Sequence, residues 1–430
     1  MTDASPDLYP NADSDGRTES TPRGLSRRRL LTGSAAMGVA VTAGCLGSEA
    51  EDQNEDGDPE PTDEPTVFVF NTGDRTVTLV DPDVDEVVET RSLGLTASFP
   101  SNQFSPRLIE SPGDSLWLNV GEGVRAVRAG SLTERARFDT GSGANWQERT
   151  PDGAYLVVSA REPTHTQFRI DADPDSETFG GVTGEIDRTP EGGRGDNDGP
   201  GPCDVTVHPD GEYAYVPDLF GDTLTVIDVE AFEIETQVGV EPVDGVPPEP
   251  WMGTAAWDGD RLLVEHNDGD AGSESIWDVS DPAEPVERVR LTPDDGLGEG
   301  PLTSEVGPDS EFGYVFTPGT NDVSVVDLVA EAVETRLDLG GEAFTGTWGP
   351  ERERLYVPVQ TADEVAVVDS AAREVVETLD VGPEPYGVTA ATVRPAPSTG
   401  ANESLSRLAA LTGDYETTYC IGRCGCGHEM

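Results

Sequence analysis

Residues 365–382 read VAVVDSAAREVVETLDVG, and the same phrase recurs at 77–94 as VTLVDPDVDEVVETRSLG, at 224–240 as LTVIDVEAFEIETQVGV and at 323–340 as VSVVDLVAEAVETRLDLG. Each copy opens with apolar residues at alternate positions, the period of a half-buried strand. An aspartate then ends the strand, at Asp81, Asp228, Asp327 and Asp369. After a short turn the alternation resumes and runs to a glycine-containing break. A second β-rich run precedes each copy, as in YVPVQTADE at 356–364, and turns such as Pro151-Asp152-Gly153 and Pro209-Asp210-Gly211 lie ahead of such runs. Asp and Gly supply the geometry of a tight reversal there.

Weaker copies fill the gaps, near Leu116, Ala154 and Arg261. Four short strands repeating every 40–50 residues or so are the pattern of propeller blades. The expectation is therefore an all-β chain: a β-propeller of about seven blades over residues 66–393, each blade a four-stranded antiparallel sheet. A surplus strand, Pro385-Tyr386-Gly387-Val388-Thr389, follows the last copy, while the first copy begins at its second strand. Joining the two would complete the first blade and remove the open edges of the ring.

The strands that begin Tyr-Val at Tyr215, Tyr314 and Tyr356, each followed by a (V/L)-x-V-(V/I)-D strand, resemble the YVTN-type surface β-propellers, which are similar in turn to lactonase-type propellers. The resemblance covers most of the chain after residue 65 and implies the fold. It implies little about activity, because the shared residues are strand and turn positions that every blade needs.

Composition narrows the setting. The chain carries 84 acidic and 27 basic residues, a formal net charge of −57, and no lysine. At molar salt the Debye length falls to about 3 Å and such self-repulsion is screened, so the composition fits a protein that works in brine. It also excludes a basic face that could follow phosphates, and with it nucleic acid as a partner. Any single Asp or Glu reads first as solvated surface.

Residues 1–44 read as an export signal. Arg27 and Arg28 precede Leu30 and Leu31, and an uncharged run continues to Gly44, too short for the roughly 20 apolar residues of a membrane span. The pair resembles the twin-arginine signal, and Thr42-Ala43-Gly44-Cys45 resembles a lipobox, with Thr where Leu is usual. Together they imply cleavage before Cys45, lipidation of its thiol and an extracytoplasmic protein held to the membrane by that lipid. Residues 45–65 are acidic and nearly free of aliphatics, a tether that cannot bury enough to fold.

Within the propeller, chemistry-bearing residues are sparse. His165, His208 and His266 are too few for a histidine crown around a copper cluster, and no C-x-x-C-H haem motif or G-x-S-x-G elbow is present. His208 belongs to a loop before a turn, and Cys203 reads as a small buried hydrophobe. Asp81, Asp83 and Asp85, and likewise Asp171, Asp173 and Asp175, alternate as calcium ligands can, without the glycine and distant Glu of an EF-hand loop. Residues 191–202 form an inserted glycine-rich loop containing Arg194-Gly195-Asp196. Nothing in the sequence points to a hydrolase built on carboxylates.

The sharpest chemical signal lies in the tail. Beyond a linker with a short helical stretch at 394–418, residues 419–430 read YCIGRCGCGHEM and hold Cys420, Cys424, Cys426, His428 and Met430. Thiolates and imidazole select copper or zinc over hard cations. The spacing of Cys420, Cys424 and His428 resembles the dicopper ligand loop of cytochrome oxidase subunit II. That resemblance implies two bridging cysteines, a ligating histidine and Met430 as a weak ligand. Met430 comes one residue early, Cys426 is an extra thiol, and no upstream strand supplies a second histidine. A simpler copper or zinc site and a disulfide both stay open. Two functions follow: a lipid-anchored binding or scaffold module, taking a protein or small molecule on the propeller face, with a soft-metal tail; or an extracytoplasmic enzyme, a lactonase-like hydrolase or a redox protein, with its site at the propeller axis.

Overall fold

The computed structural model describes residues 60–95, 97 and 103–398, and in them the repeated phrases become seven antiparallel sheets. Blade 1 combines Thr66–Asn71, Thr76–Asp81 and Glu86–Ser92 with Pro385–Ala391 as its innermost strand. Blade 2 spans 115–139, blade 3 spans 145–187, blade 4 spans 206–239, blade 5 spans 250–291, blade 6 spans 304–338 and blade 7 spans 347–380. Six sheets have four strands; blade 2 has three among the described residues.

The outer half of each blade is the most regular. The strand-ending aspartates accept backbone N–H groups of the turn that follows, Ala231 on Asp228, Ala330 on Asp327 and Ala372 on Asp369, each at 2.7 Å. A register shift follows at equivalent places, between Leu79 and Val80, Val226 and Ile227, Val325 and Val326, and Val367 and Val368. Such a bulge sharpens the twist of the sheet. The outermost strands alternate between exposed and half-buried positions, as in Glu233–Gly239, because only one side of them meets a neighbouring blade.

The Y-V motif has a physical reason. Tyr215, Tyr314 and Tyr356 are buried, and their hydroxyls reach the outer turn of the next blade: Pro282 O at 3.2 Å, Ser370 O at 3.3 Å and Asp85 Oδ1 at 2.6 Å. A large apolar ring thereby fills the interblade space while its polar end stays paired.

The surplus strand closes the ring as expected. Val67 faces Ala390 and Val69 faces Val388 across blade 1, so the two ends of the chain share one sheet. Thr62 and Arg394 continue that pairing, with backbone bonds of 2.9 and 2.8 Å in the two directions.

Candidate functional site

The innermost strands surround the axis, and the pairing register makes their positions comparable. Opposite Val157, Tyr215, Leu263, Tyr314, Tyr356 and Phe68 of the second strands stand Glu148, Thr206, Thr254, Glu305, Thr347 and Thr389. Four blades place threonine there and two place glutamate. At three of these six positions a side-chain oxygen latches one blade to the next, whereas Thr389 Oγ1 is buried without a partner among the described residues. Thr206 Oγ1 accepts the Ala255 N–H at 3.2 Å, and the Thr254 hydroxyl donates to Ser304 O at 2.8 Å. Glu148 makes the equivalent latch by accepting the Val207 N–H.

Glu305 does not. Its Oε2 has no hydrogen-bond partner among the described residues, although the residue is only 7 % exposed. Glu148, Asp204 and Glu305 line one axial cavity with Gln103 and Gln147, whose amide groups also lack partners among the described residues, leaving a free volume of about 70 Å³. That is room for a few waters or the reacting end of one small molecule. Buried polar groups are normally paired, so unmet donors and acceptors converging on one cavity indicate a place built to receive a polar guest.

Burial governs the protonation of these carboxyls. It pushes Glu148 up to about 8, against the Val207 N–H and the Thr206 hydroxyl, which favour the carboxylate. Asp204 is pushed up to about 7 by burial, tempered by the backbone N–H groups of Gly253 and Val205. Glu305 stands well above the usual carboxylate range, first through burial and then through the charge of Glu148. Near neutral pH the cavity therefore holds both a neutral carboxyl and one able to ionise. A second pair lies behind it in blade 5. Glu265 and Glu274 face each other across adjacent strands, and both are wholly buried. Burial pushes Glu265 up to about 8, and burial followed by the charge of Glu265 raises Glu274 well above the ordinary range.

At one end of the cavity the first residues of the inner strands form an apolar collar: Trp146, Cys203, Trp251, Leu302, Phe344 and Tyr386 pack in one cluster. Phe344 and Tyr386 stack there, ring centres 5.0 Å apart. Cys203 behaves as the small hydrophobe the sequence suggests. Burial pushes its thiol up to about 12, and the Arg161 guanidinium donates to its sulfur at 3.5 Å.

The three described histidines are not gathered. His165 Nδ1 accepts the Gly201 N–H at 3.2 Å, and His208 Nε2 meets Gly259 O at 3.0 Å. His266 bridges Pro248 O and the Ser275 hydroxyl at 2.9 and 2.7 Å, and burial lowers its pKa well below the ordinary histidine value. The alternating aspartates serve turns. Asp81 accepts the Asp83 N–H at 3.0 Å and pairs with Arg394, and Asp171 accepts the hydroxyls of Ser176 and Thr178, each at 2.5 Å. Arg194 of the inserted loop is engaged by Asp222 and Glu249. Among the described residues no group of three or more His, Cys, Asp or Glu side chains is placed to hold a metal ion. Arg27, Arg28, Cys45, Cys420, Cys424, Cys426, His428 and Met430 lie outside the described residues.

Reading each acidic residue first as solvated surface misses Glu148, Asp204, Glu305, Glu265 and Glu274. The missing signal is visible once the blades are aligned by strand pairing: two inner strands carry Glu where four carry Thr.

No protein-family model matches the chain, and no curated protein matches its sequence. Solved structures do match in shape. The periplasmic gluconolactonase of Pseudomonas aeruginosa superposes with a TM-score of 0.58 at 16% identity, covering 77% of this chain and 99% of that one. A protein from Lactobacillus plantarum gives 0.59 at 15% identity, covering 76% and 99%. A protein of unknown function from Desulfotomaculum acetoxidans gives 0.56 at 13% identity, covering 77% and 99%. At these identities the likeness shows the fold alone.

Proposed function

We propose that this propeller is an extracytoplasmic hydrolase of the lactonase-like kind, acting on a small cyclic ester at the axial cavity. The observation that carries the reading is the pair Glu148 and Glu305. Two glutamates occupy a ring position where other blades have threonine, in one cavity and largely withdrawn from water. Burial of a carboxylate is unfavourable, and threonine would serve the latch without it, so the substitution needs a reason beyond the fold. The fold of a periplasmic gluconolactonase is a supporting analogy.

The chemistry needs only water as co-reactant. The ionised member of the pair takes a proton from water, the oxygen attacks the lactone carbonyl, and the carbonyl–ring-oxygen bond breaks. The neutral member protonates the departing ring oxygen, giving an open hydroxy acid. Carboxyls raised towards neutrality suit both halves of such a step, because each is then close to changing its proton. The amides of Gln103 and Gln147, unengaged among the described residues, are donors that can orient the carbonyl.

The test is pH-stat titration of a panel of five- and six-membered aldonolactones with the mature full chain in molar salt. Hydrolysis above the spontaneous rate for at least one lactone, lost in Glu148→Thr, supports the reading. No acceleration across the panel rejects it. A second, independent proposal concerns the tail: clustering of three of the chain's five cysteines with His428 supports a copper or zinc site there. Elemental analysis with and without residues 419–430 tests it, and oxidised thiols without metal would overturn it.

A further inference from the structure

The turn between the innermost and second strands reads Pro-Asp-Gly at 151–153 and 209–211, with Gly153 at φ 74° and Gly211 at φ 80°. Three blades depart from this formula, blade 6 with Ser310 in the glycine position of Pro308-Asp309-Ser310 at φ 59°. Blade 5 has Trp257 in the proline position of Trp257-Asp258-Gly259, and blade 7 has Arg352 in the glycine position of Pro350-Glu351-Arg352. Arg352 sits at φ 58°, in the left-handed region that glycine enters freely and a side chain enters under strain.

The departures of blades 5 and 7 meet each other. The Arg352 guanidinium carbon lies 4.6 Å from the centre of the Trp257 ring. Arg107, from the single helical turn Ser105–Leu108, lies 5.0 Å from it, and Phe104 meets the indole edge-on at 5.7 Å. Blade 5, blade 7 and the segment entering blade 2 are not neighbours around the ring, so they touch only across the axis. Trp257 thus covers the axial mouth opposite the apolar collar. Its Nε1–H donates to Val306 O at 2.9 Å, which fixes the ring in place.

Neither Arg107 nor Arg352 makes an ion pair or a hydrogen bond through its guanidinium among the described residues, in a chain with 84 acidic side chains to choose from. Their only described side-chain partner is the indole. Burial, and after it the charge of Arg107, hold Arg352 below the usual arginine value. Two positive charges resting on one indole without a counter-ion among the described residues are what an anion would relieve. A guanidinium presents a planar fork that matches a carboxylate through two bonds, and the aromatic rim of Trp257 and Phe104 favours an anion with a carbon body over an inorganic one.

We propose that this mouth binds a small organic carboxylate, its oxygens bridging Arg107 and Arg352 and its body against the aromatic rim. The site uses none of the axial carboxyls and stands whether or not the lactone reaction does. Calorimetric titration of the mature full chain in molar sodium chloride tests it, with benzoate, benzamide and inorganic phosphate as probes. Benzoate is expected to bind, benzamide not to bind, and phosphate to bind at least ~10-fold more weakly. Arg352→Gly restores the common turn, so it should melt at or above the wild-type temperature while weakening benzoate at least ~10-fold; Arg107→Gln should weaken it similarly. The proposal is overturned if benzoate does not bind, or if benzamide or phosphate binds as tightly. It is equally overturned if either folded variant keeps wild-type affinity for benzoate.

Discussion

The outer two strands of a blade and its innermost strand obey different rules. At 323–340 and 365–382 the outer strands are near copies, with the same stop aspartate, the same bulge and the same exposed face. The innermost strands share a position in the ring and little else: Glu148, Thr206, Thr254, Glu305 and Thr347 occupy one register. Outer strands repeat because each solves one packing problem against its neighbour. Inner strands meet at an axis where the six other blades converge, and a change in one of them alters a shared cavity instead of a local contact. Departures from the repeat are therefore where function is to be sought, and both the buried glutamates and the Trp257–Arg352 mouth are such departures.

The comparison breaks most visibly if the latch is removed. Glu148→Ala leaves the Val207 N–H buried without an acceptor and should cost about 1–3 kcal/mol in chemical denaturation, whereas Glu148→Thr should keep most of that stability. Equal losses would mean that the ring position has no latching role.

A pH series sharpens the contrast next. A carboxyl whose folded pKa is raised binds its proton more tightly in the native state. Its contribution is complete below the ordinary value near 4.5 and disappears as pH climbs through the raised value, about 8 for Glu148. Melting temperature in constant molar salt should fall across that window. Glu305→Gln, a neutral isostere, should lessen the fall, matching wild type near pH ~5 and melting higher near pH ~9. A variant that tracks wild type throughout would show that Glu305 ionises freely.

Smaller effects belong to the outer architecture. Tyr356→Phe removes the hydroxyl bond to Asp85 and should lower stability by about 1 kcal/mol with no effect on hydrolysis. Glu377→Gln, on the exposed outermost strand, should change stability by less than about 0.5 kcal/mol and leave the rate alone. A loss of activity in either would move the site away from the axis.

The same contrast explains what could be read from the sequence. Strand alternation, stop aspartates and the surplus strand at 385–389 are repeated signals, and repetition made the seven-bladed ring and its closure legible. Tyr215, Tyr314 and Tyr356 announced the fold because each straps one blade to the next. Apart from that closing strand the inner strands gave no such signal, and Thr206–Val207 and Thr347–Trp348 are two residues long, too short for a periodicity. Glu148 and Glu305 are hidden among 84 acidic residues until pairing shows that they replace threonine. Trp257 and Arg352 sit in turns whose partners come from distant blades, so only closure of the ring brings them together.

Whether Glu148 and Glu305 act together on a lactone is decided by the pH–rate profile for lactone hydrolysis by wild type and Glu305→Gln, at matched salt and with folding verified by melting. The wild-type profile should be controlled by groups titrating near neutrality rather than in the ordinary carboxylate range, and the variant should lose about 100-fold or more in rate. Wild-type rates in Glu305→Gln, with the profile unchanged, would contradict that joint action.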